Sequence, residues 1–321
     1  MSRIPSSRRF HPKARSVRAG WLARLAAASL AVTVTTWASP LAAQDPAPAP
    51  EALRACAPAS AGTYLVADAR DGETLRLEDG REVRLIGALA PRPGVSLGEI
   101  PDWPPADEAR RALAALVTGR RATLHVPTGR HTDRYGRLLA HVTIAGADGG
   151  AIWLQDSLIR AGLARAYALP GHTACLAALL DAEEAARRAE AGLWARGGAF
   201  LVREAEPIAD LARLAGHFEI VAGTVRATAR TKETTYINFG ADWRTDFTAS
   251  VPTSLVDRSA GGAQIPGLVG QRIRVRGWIE RRNGPMISLD TLDQIERLDG
   301  GTPVPLDTPA GGLARPSPAP H

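Results

Sequence analysis

Between Thr63 and Ala88 the chain reverses twice with almost no residues to spare. Three strand-like runs, TYLVADA, ETLRL and REVRLIGA, are separated by the turn signals Asp71–Gly72 and Glu78–Asp79–Gly80. Asp-Gly pairs between alternating apolar runs are the chemistry of tight turns, so three neighbouring strands are predicted here. A helix is predicted from about Pro105 to Val117, where Ala109, Leu113, Leu116 and Val117 form one apolar stripe and Gly119 ends it. Two further strands, RATLHVP and RLLAHVTIA, precede a short helix near Leu154–Ala161 and a long one from about Thr173 to Ala191. That order suits a small five-stranded barrel with helices packed on it.

Beyond the connector LVREAEPIADLARLAG, strands are readable at HFEIVAGTVRAT, TTYINFG, DFTASV, QRIRVRGWIE and PMISL, with no strong helix among them. This is a second small barrel, of the oligonucleotide- or oligosaccharide-binding (OB) kind. The expected fold is mainly β with α: two five-stranded OB-like barrels, the first carrying three helices. The expected boundaries are an export signal at 1–43, a linker at 44–55, the first domain at 56–200, a connector at 201–216, the second domain at 217–299 and a disordered tail at 300–321.

The signal is read from seven basic residues followed by the apolar run LAAASLAVTVTTWA and the small-residue stretch PLAA, with cleavage after Ala43. It implies an exported protein, periplasmic or secreted, by either the general or the twin-arginine route. It also changes the charge balance, because the whole chain has a formal net charge of +6 but the part beyond Ala43 has 32 basic against 33 acidic residues. No whole-molecule basic field remains to attract nucleic acid or an anionic membrane, so any such binding must come from local clusters. Cys56 and Cys175 are the two cysteines, and in an oxidising compartment they are candidates for one disulfide, the alternative being two buried thiols.

The ordered pieces DGETLRL, VRLIG with the following proline, DEARRAL, DRYGRLLAHV, LIRAGLARAY and AEEAARRAEAGLW, within Thr63–Trp194, resemble the staphylococcal nuclease (thermonuclease) family. The resemblance implies a phosphodiesterase in which two aspartates and a carbonyl hold calcium, a glutamate assists the attacking water, and two arginines hold the scissile phosphate. Arg84 in VRLIG and Arg137 in DRYGR match those arginines, and the resemblance makes Tyr135 in DRYGR a candidate to flank the substrate as family tyrosines do. Glu73 in DGET takes the place of the first metal aspartate and is a weak metal candidate. The other aspartate and the glutamate fall on Leu89 and Arg92 in LAPR. Leucine offers no ligand and Arg92 cannot act as a base, so calcium binding is doubtful and Arg84, Arg92 and Arg137 read instead as an anion-capturing set. A relocated acid at Glu99, Asp102 or Glu108 is the rescue for catalysis; pairing of Arg84 and Arg137 with Glu82 or Asp133 is the plain structural reading.

In the second domain, alternation along QRIRVRGWIE puts Ile273, Val275 and Ile279 on one face and Arg272, Arg274, Arg276 and Trp278 on the other. Three guanidiniums beside an indole make a stacking and phosphate surface for single strands, against the plainer reading of an exposed strand face. The leading reading of the whole chain is an exported nuclease-like protein that binds nucleic acid or another anionic polymer without the family's metal mechanism. A weak or altered metal-dependent phosphodiesterase using Glu73, and an envelope protein-interaction module, are the alternatives.

Overall fold

A computed structural model describes residues 49–56, 59–92, 104–127, 129–298 and 304–305. The expected export signal, nearly all of the tail and the loop carrying Glu99 and Asp102 lie outside the described residues.

The first half contains α1 (Glu51–Ala55), β1 (Ala59–Ala69), β2 (Thr74–Leu77), β3 (Glu82–Leu85), β4 (Ala88–Leu89), α2 (Pro104–Val117), β5 (Arg121–Val126), β6 (Leu138–Ala145), β7 (Ala151–Trp153), α3 (Leu154–Arg160), β8 (Arg165–Ala166) and α4 (Leu176–Arg188). β1, β2 and β3 form the meander expected from the two tight turns. β3 then pairs with β6 in parallel, β6 with β5 and β5 with β1 antiparallel, which closes a five-stranded barrel. Alternation buries Val66, Leu75, Val83, Leu124 and Val142 inside it, and α2 presents Ala109, Leu113 and Val117 to the same core. Each such aliphatic side chain withdrawn from water contributes about 1.5–3 kcal/mol.

The second half contains β9 (Val202–Glu204), α5 (Ile208–Ala212), β10 (Phe218–Thr224), β11 (Ala227–Arg230), β12 (Thr234–Asn238), β13 (Thr248–Pro252), α6 (Thr253–Arg258), β14 (Arg272–Arg282), β15 (Gly284–Ser288), β16 (Ile295–Arg297) and β17 (Val304–Pro305). β10 and β11 are successive parts of one stretch; β11 pairs with β12, β12 with β13, β13 with β15 in parallel, β15 with β14 and β14 with β10. The two barrels therefore follow the same path: first strand, second, third, fifth, fourth and back to the first, with a helix between third and fourth.

Three margins differ from expectation. Leu53 of α1 is buried in the first core, so that domain's packing begins inside the stretch read as linker. The connector is not a plain linker either, because β9 pairs in parallel with β10 and α5 buries Leu211. Short helices α5 and α6 accompany a barrel that showed no strong helical pattern. Cys56 and Cys175 form a disulfide that ties α1 to the start of α4 across 119 positions of sequence. No helix among the described residues is long and apolar enough to cross a membrane.

The two barrels meet along the outer face of β14, and here an expectation is corrected. Arg274 and Arg276 do alternate with the core residues Ile273 and Val275, but their face is covered by α4, not open to solvent. Arg276 has no exposed surface. Its Nη1 donates to the Ala166 carbonyl at 2.8 Å and to Glu183 at 3.1 Å, and its Nε donates to Glu296 at 3.2 Å. Arg274 bonds Glu184 of α4 at 3.2 Å and lies 3.3 Å from Glu296. Arg187, one turn along α4, donates to Glu183 at 2.8 Å. Arg272 is exposed and paired with Glu204. Of the four residues read as one binding face, only Arg272 and Trp278 retain substantial exposure.

Burial pulls the Arg276 guanidinium down, but Glu183 and Glu296 more than reverse this and hold it above its ordinary value. Burial likewise pushes Glu183 up, and Arg276 and Arg187 together bring it below the usual carboxylate range. Removing one member of such a group leaves buried charge uncompensated. Arg276→Met is expected to lower unfolding stability by about 3–5 kcal/mol, read from the denaturant midpoint, whereas Arg272→Met at the exposed pair changes it by less than about 1 kcal/mol.

Candidate functional site

Glu73 sits at the foot of a cleft because the β1–β2 turn forces it there. Asp71 accepts the Glu73 amide at 2.8 Å, closing the turn from its own side chain. Gly72 lets the turn press against the chain after β4: a Cβ at this position would lie 2.6 Å from the Ala90 Cβ and 2.8 Å from that of Ala109. β4 is held in place by β8, with Ala88 opposite Ala166 and Leu89 opposite Arg165. The result brings Glu73 under Ala90 and Arg92.

The Glu73 carboxylate is 1% exposed and fully engaged. Oε1 accepts from Arg84 Nη1 at 2.6 Å and from Arg92 Nε at 3.0 Å, and Oε2 accepts the Ala90 amide at 3.0 Å. Burial tends to lower the Arg92 guanidinium, but the Glu73 charge outweighs it and raises the group. Arg84 therefore pairs with Glu73, while Glu82, its expected partner, faces Arg70.

Above this foot opens a cleft of about 400 Å³ lined by Arg84, Arg92, Arg130, Arg134, Arg137 and Asp133, with Tyr135, Tyr167 and Trp278 as its aromatic walls. Five guanidiniums face one carboxylate. Asp133 accepts from Arg137 Nε at 2.7 Å and from the amides of Tyr135 and Arg137, so the DRYGR turn folds around its own first residue. Burial pushes Asp133 up, and these bonds bring it below the usual carboxylate range. Arg137 Nη1 also reaches Thr74 Oγ1 at 3.3 Å, which aims the guanidinium across β2. Tyr135 is 67% exposed, with the Arg134 guanidinium 4.8 Å and that of Arg137 5.4 Å from its ring centre. Trp278 comes from the second barrel, edge-on to Phe218 at 5.9 Å, and Phe218 in turn meets Tyr167 at 5.6 Å.

The sequence model of the staphylococcal nuclease homologue family matches residues 82–196. This stretch is a staphylococcal nuclease-like domain. The match opens at β3, and β1 and β2 complete the same barrel. An uncharacterized protein of Bacillus anthracis is 30% identical over 133 residues, which make up 40% of this chain and 59% of that one. The chain thus spans about three-fifths of the curated relative it matches.

Within and beside the nuclease-like domain, the structure gathers Arg84, Arg92, Arg137 and Tyr135 around one cleft and adds Trp278 from the other barrel. It does not bring Arg272, Arg274 or Arg276 there. Glu108 lies exposed on α2 and is not among the cleft-lining residues. Trp194 is a packing residue against Phe200 and the Arg187 guanidinium. Sequence reasoning passed over Arg130, Arg134 and Tyr167, although Arg134 stands inside DRYGR and Tyr167 closes LIRAGLARAY.

Glu73→Gln removes the charge that balances the buried Arg84 guanidinium and is expected to cost about 3 kcal/mol or more of unfolding stability. Arg92→Ala, at a side chain that reaches solvent, costs about 1 kcal/mol or less in the same denaturant titration.

Proposed function

We propose that this cleft binds the phosphate groups of an anionic polymer, nucleic acid foremost, in an exported protein whose nuclease-like domain no longer works by the family's calcium-assisted hydrolysis. The observation that carries the reading is the state of Glu73: both of its oxygens are already bonded, by two guanidiniums and an amide.

Calcium takes six to eight oxygen ligands, and carboxylates are its principal protein donors. Here Arg92 lies against the carboxylate that would serve it, Leu89 supplies no donor, and no group of three or more histidine, cysteine, aspartate or glutamate residues is placed to hold a metal among the described residues. These residues do not fit the ion. They do fit a phosphate: with Glu73 balancing part of the charge below, Arg84, Arg92, Arg130, Arg134 and Arg137 leave the cleft net positive, and guanidinium forks match phosphate oxygens two at a time. Tyr135, Tyr167 and Trp278 offer rings on which bases stack, which makes single strands the preferred form. Export is supported by the basic and apolar leader at 1–43 and is in keeping with a disulfide.

The test is to incubate the purified protein with single- and double-stranded nucleic acid at low salt, with calcium or with a chelator, and to measure retention and cleavage together. Single strands are expected to be retained equally with calcium and chelator, and Arg137→Ala is expected to weaken retention about tenfold. Calcium-dependent cleavage that Arg137→Ala abolishes would overturn the reading in favour of an altered phosphodiesterase. Absence of both binding and cleavage would favour a protein-interaction module.

A further inference from the structure

Arg165 is a half-buried arginine that bonds no carboxylate among the described residues. Arg84, Arg187, Arg274 and Arg276 each bond at least one glutamate. The Arg165 guanidinium instead lies over two phenyl rings, 4.9 Å from the Phe200 ring centre and 4.9 Å from that of Phe218. Its Nε is buried without a partner, and no acceptor among the described residues bonds its terminal nitrogens. Ring contacts engage the faces of a guanidinium but not its donors, which lie in the plane. A buried donor left unbonded costs about 1–3 kcal/mol, so the Arg165 Nε calls for an acceptor from outside the chain.

The two acids that interact with Arg165 electrostatically each bond another arginine. Glu219 is bonded by Arg203 at 3.4 Å, and Glu183 is taken by Arg276 and Arg187. Burial pulls the Arg165 guanidinium below its ordinary value, which an added anion would reverse.

Space is present as well. A crevice of about 70 Å³ opens at this point between the two barrels, with Arg92, Arg165, Arg203, His217 and one carboxylate, Glu219, as its polar groups and Phe200 and Phe218 as apolar walls; three guanidiniums against that one acid leave it net positive. One water needs roughly 10–15 Å³ by this measure, so a tetrahedral oxoanion fits. Leu89, Arg92 and Trp278 line both this crevice and the larger cleft, so the two spaces adjoin around the indole.

We propose that the crevice is a second oxoanion seat, in which Arg165 donates its free in-plane nitrogens to a phosphate group. Where the phosphate belongs to a polymer, it is one lying past Trp278 from the group held in the cleft; this polymer form rests on the function proposed above, whereas a seat for free phosphate does not. The seat would exist only where the barrels are joined, because Arg165 comes from the first and Phe218 from the second.

Two titrations on the full chain test it, using wild type, Arg165→Met and Arg165→Lys. In the first, inorganic phosphate is titrated at low salt by calorimetry. In the second, oligothymidylates of increasing length are bound over a range of salt concentrations. Arg165→Met, which keeps the aliphatic stem against the rings, is expected to lose one phosphate equivalent. It is also expected to reduce the slope of log K against log salt by about 0.7 for oligomers long enough to pass Trp278, the value of one single-strand phosphate contact, and to leave a dinucleotide unaffected. Should the methionine variant fail to melt cooperatively, Arg165→Lys decides, with about tenfold weaker phosphate binding expected from loss of the fork. Arg165-dependent phosphate binding without any oligonucleotide binding by wild type would remove the functional reading and leave the seat as one for a free oxoanion. Phosphate stoichiometry and salt slope both unchanged in a folded Arg165 variant would overturn the seat itself.

Discussion

A guanidinium with no exposed surface, Arg276, lies between a glutamate from each barrel, and the joint geometry of the molecule follows from it. Such groups rarely stabilise more than a well-packed apolar contact would, since desolvating the charges costs nearly what their attraction returns. Their effect is on alternatives. A docking slipped by one strand position would present Val275 or Gly277 to Glu183 and leave the carboxylate buried and unpaired, at a cost of several kcal/mol. Arg274 and Arg187 extend the same logic along β14 and α4. The barrels therefore meet in one register.

That register decides what Trp278 does. It stands two positions beyond Arg276 on the same face of β14, where the interface ends and the cleft begins. The second barrel thereby supplies a wall to a site whose charged floor belongs entirely to the first. A cleft assembled this way joins guanidiniums from DRYGR and LAPR to an indole more than 130 positions away along the chain.

Much of the fold was legible because its signals are local. Asp71–Gly72 and Asp79–Gly80 marked the turns, period-two alternation marked β14, and the α2 stripe marked the helix facing the core. Alternation says which residues share a face but not what covers it. Arg274 and Arg276 read as a nucleic-acid surface because their acids, Glu183, Glu184 and Glu296, stand on other elements and are linked to them only by the docking of the halves. The same limit hid Arg165, whose distinguishing property is a missing partner. Two OB-like barrels were expected, and strand order gives them the same winding although no sequence repeat links them. At the site itself, LAPR showed that carboxylates were absent, but not that Arg92 turns inward to Glu73.

The disulfide between Cys56 and Cys175 has a consequence for the order in which the molecule is made. The first cysteine emerges from the ribosome before its partner, which follows 119 residues later. Since the sequence contains no third cysteine, no internal competitor can capture Cys56 in the meantime. Until Cys175 emerges, a bond from Cys56 can form only with another molecule, so a mixed disulfide with an oxidoreductase would report how much of the chain has emerged. Once formed correctly, the bridge needs no reshuffling, and an isomerase has nothing to edit within the monomer.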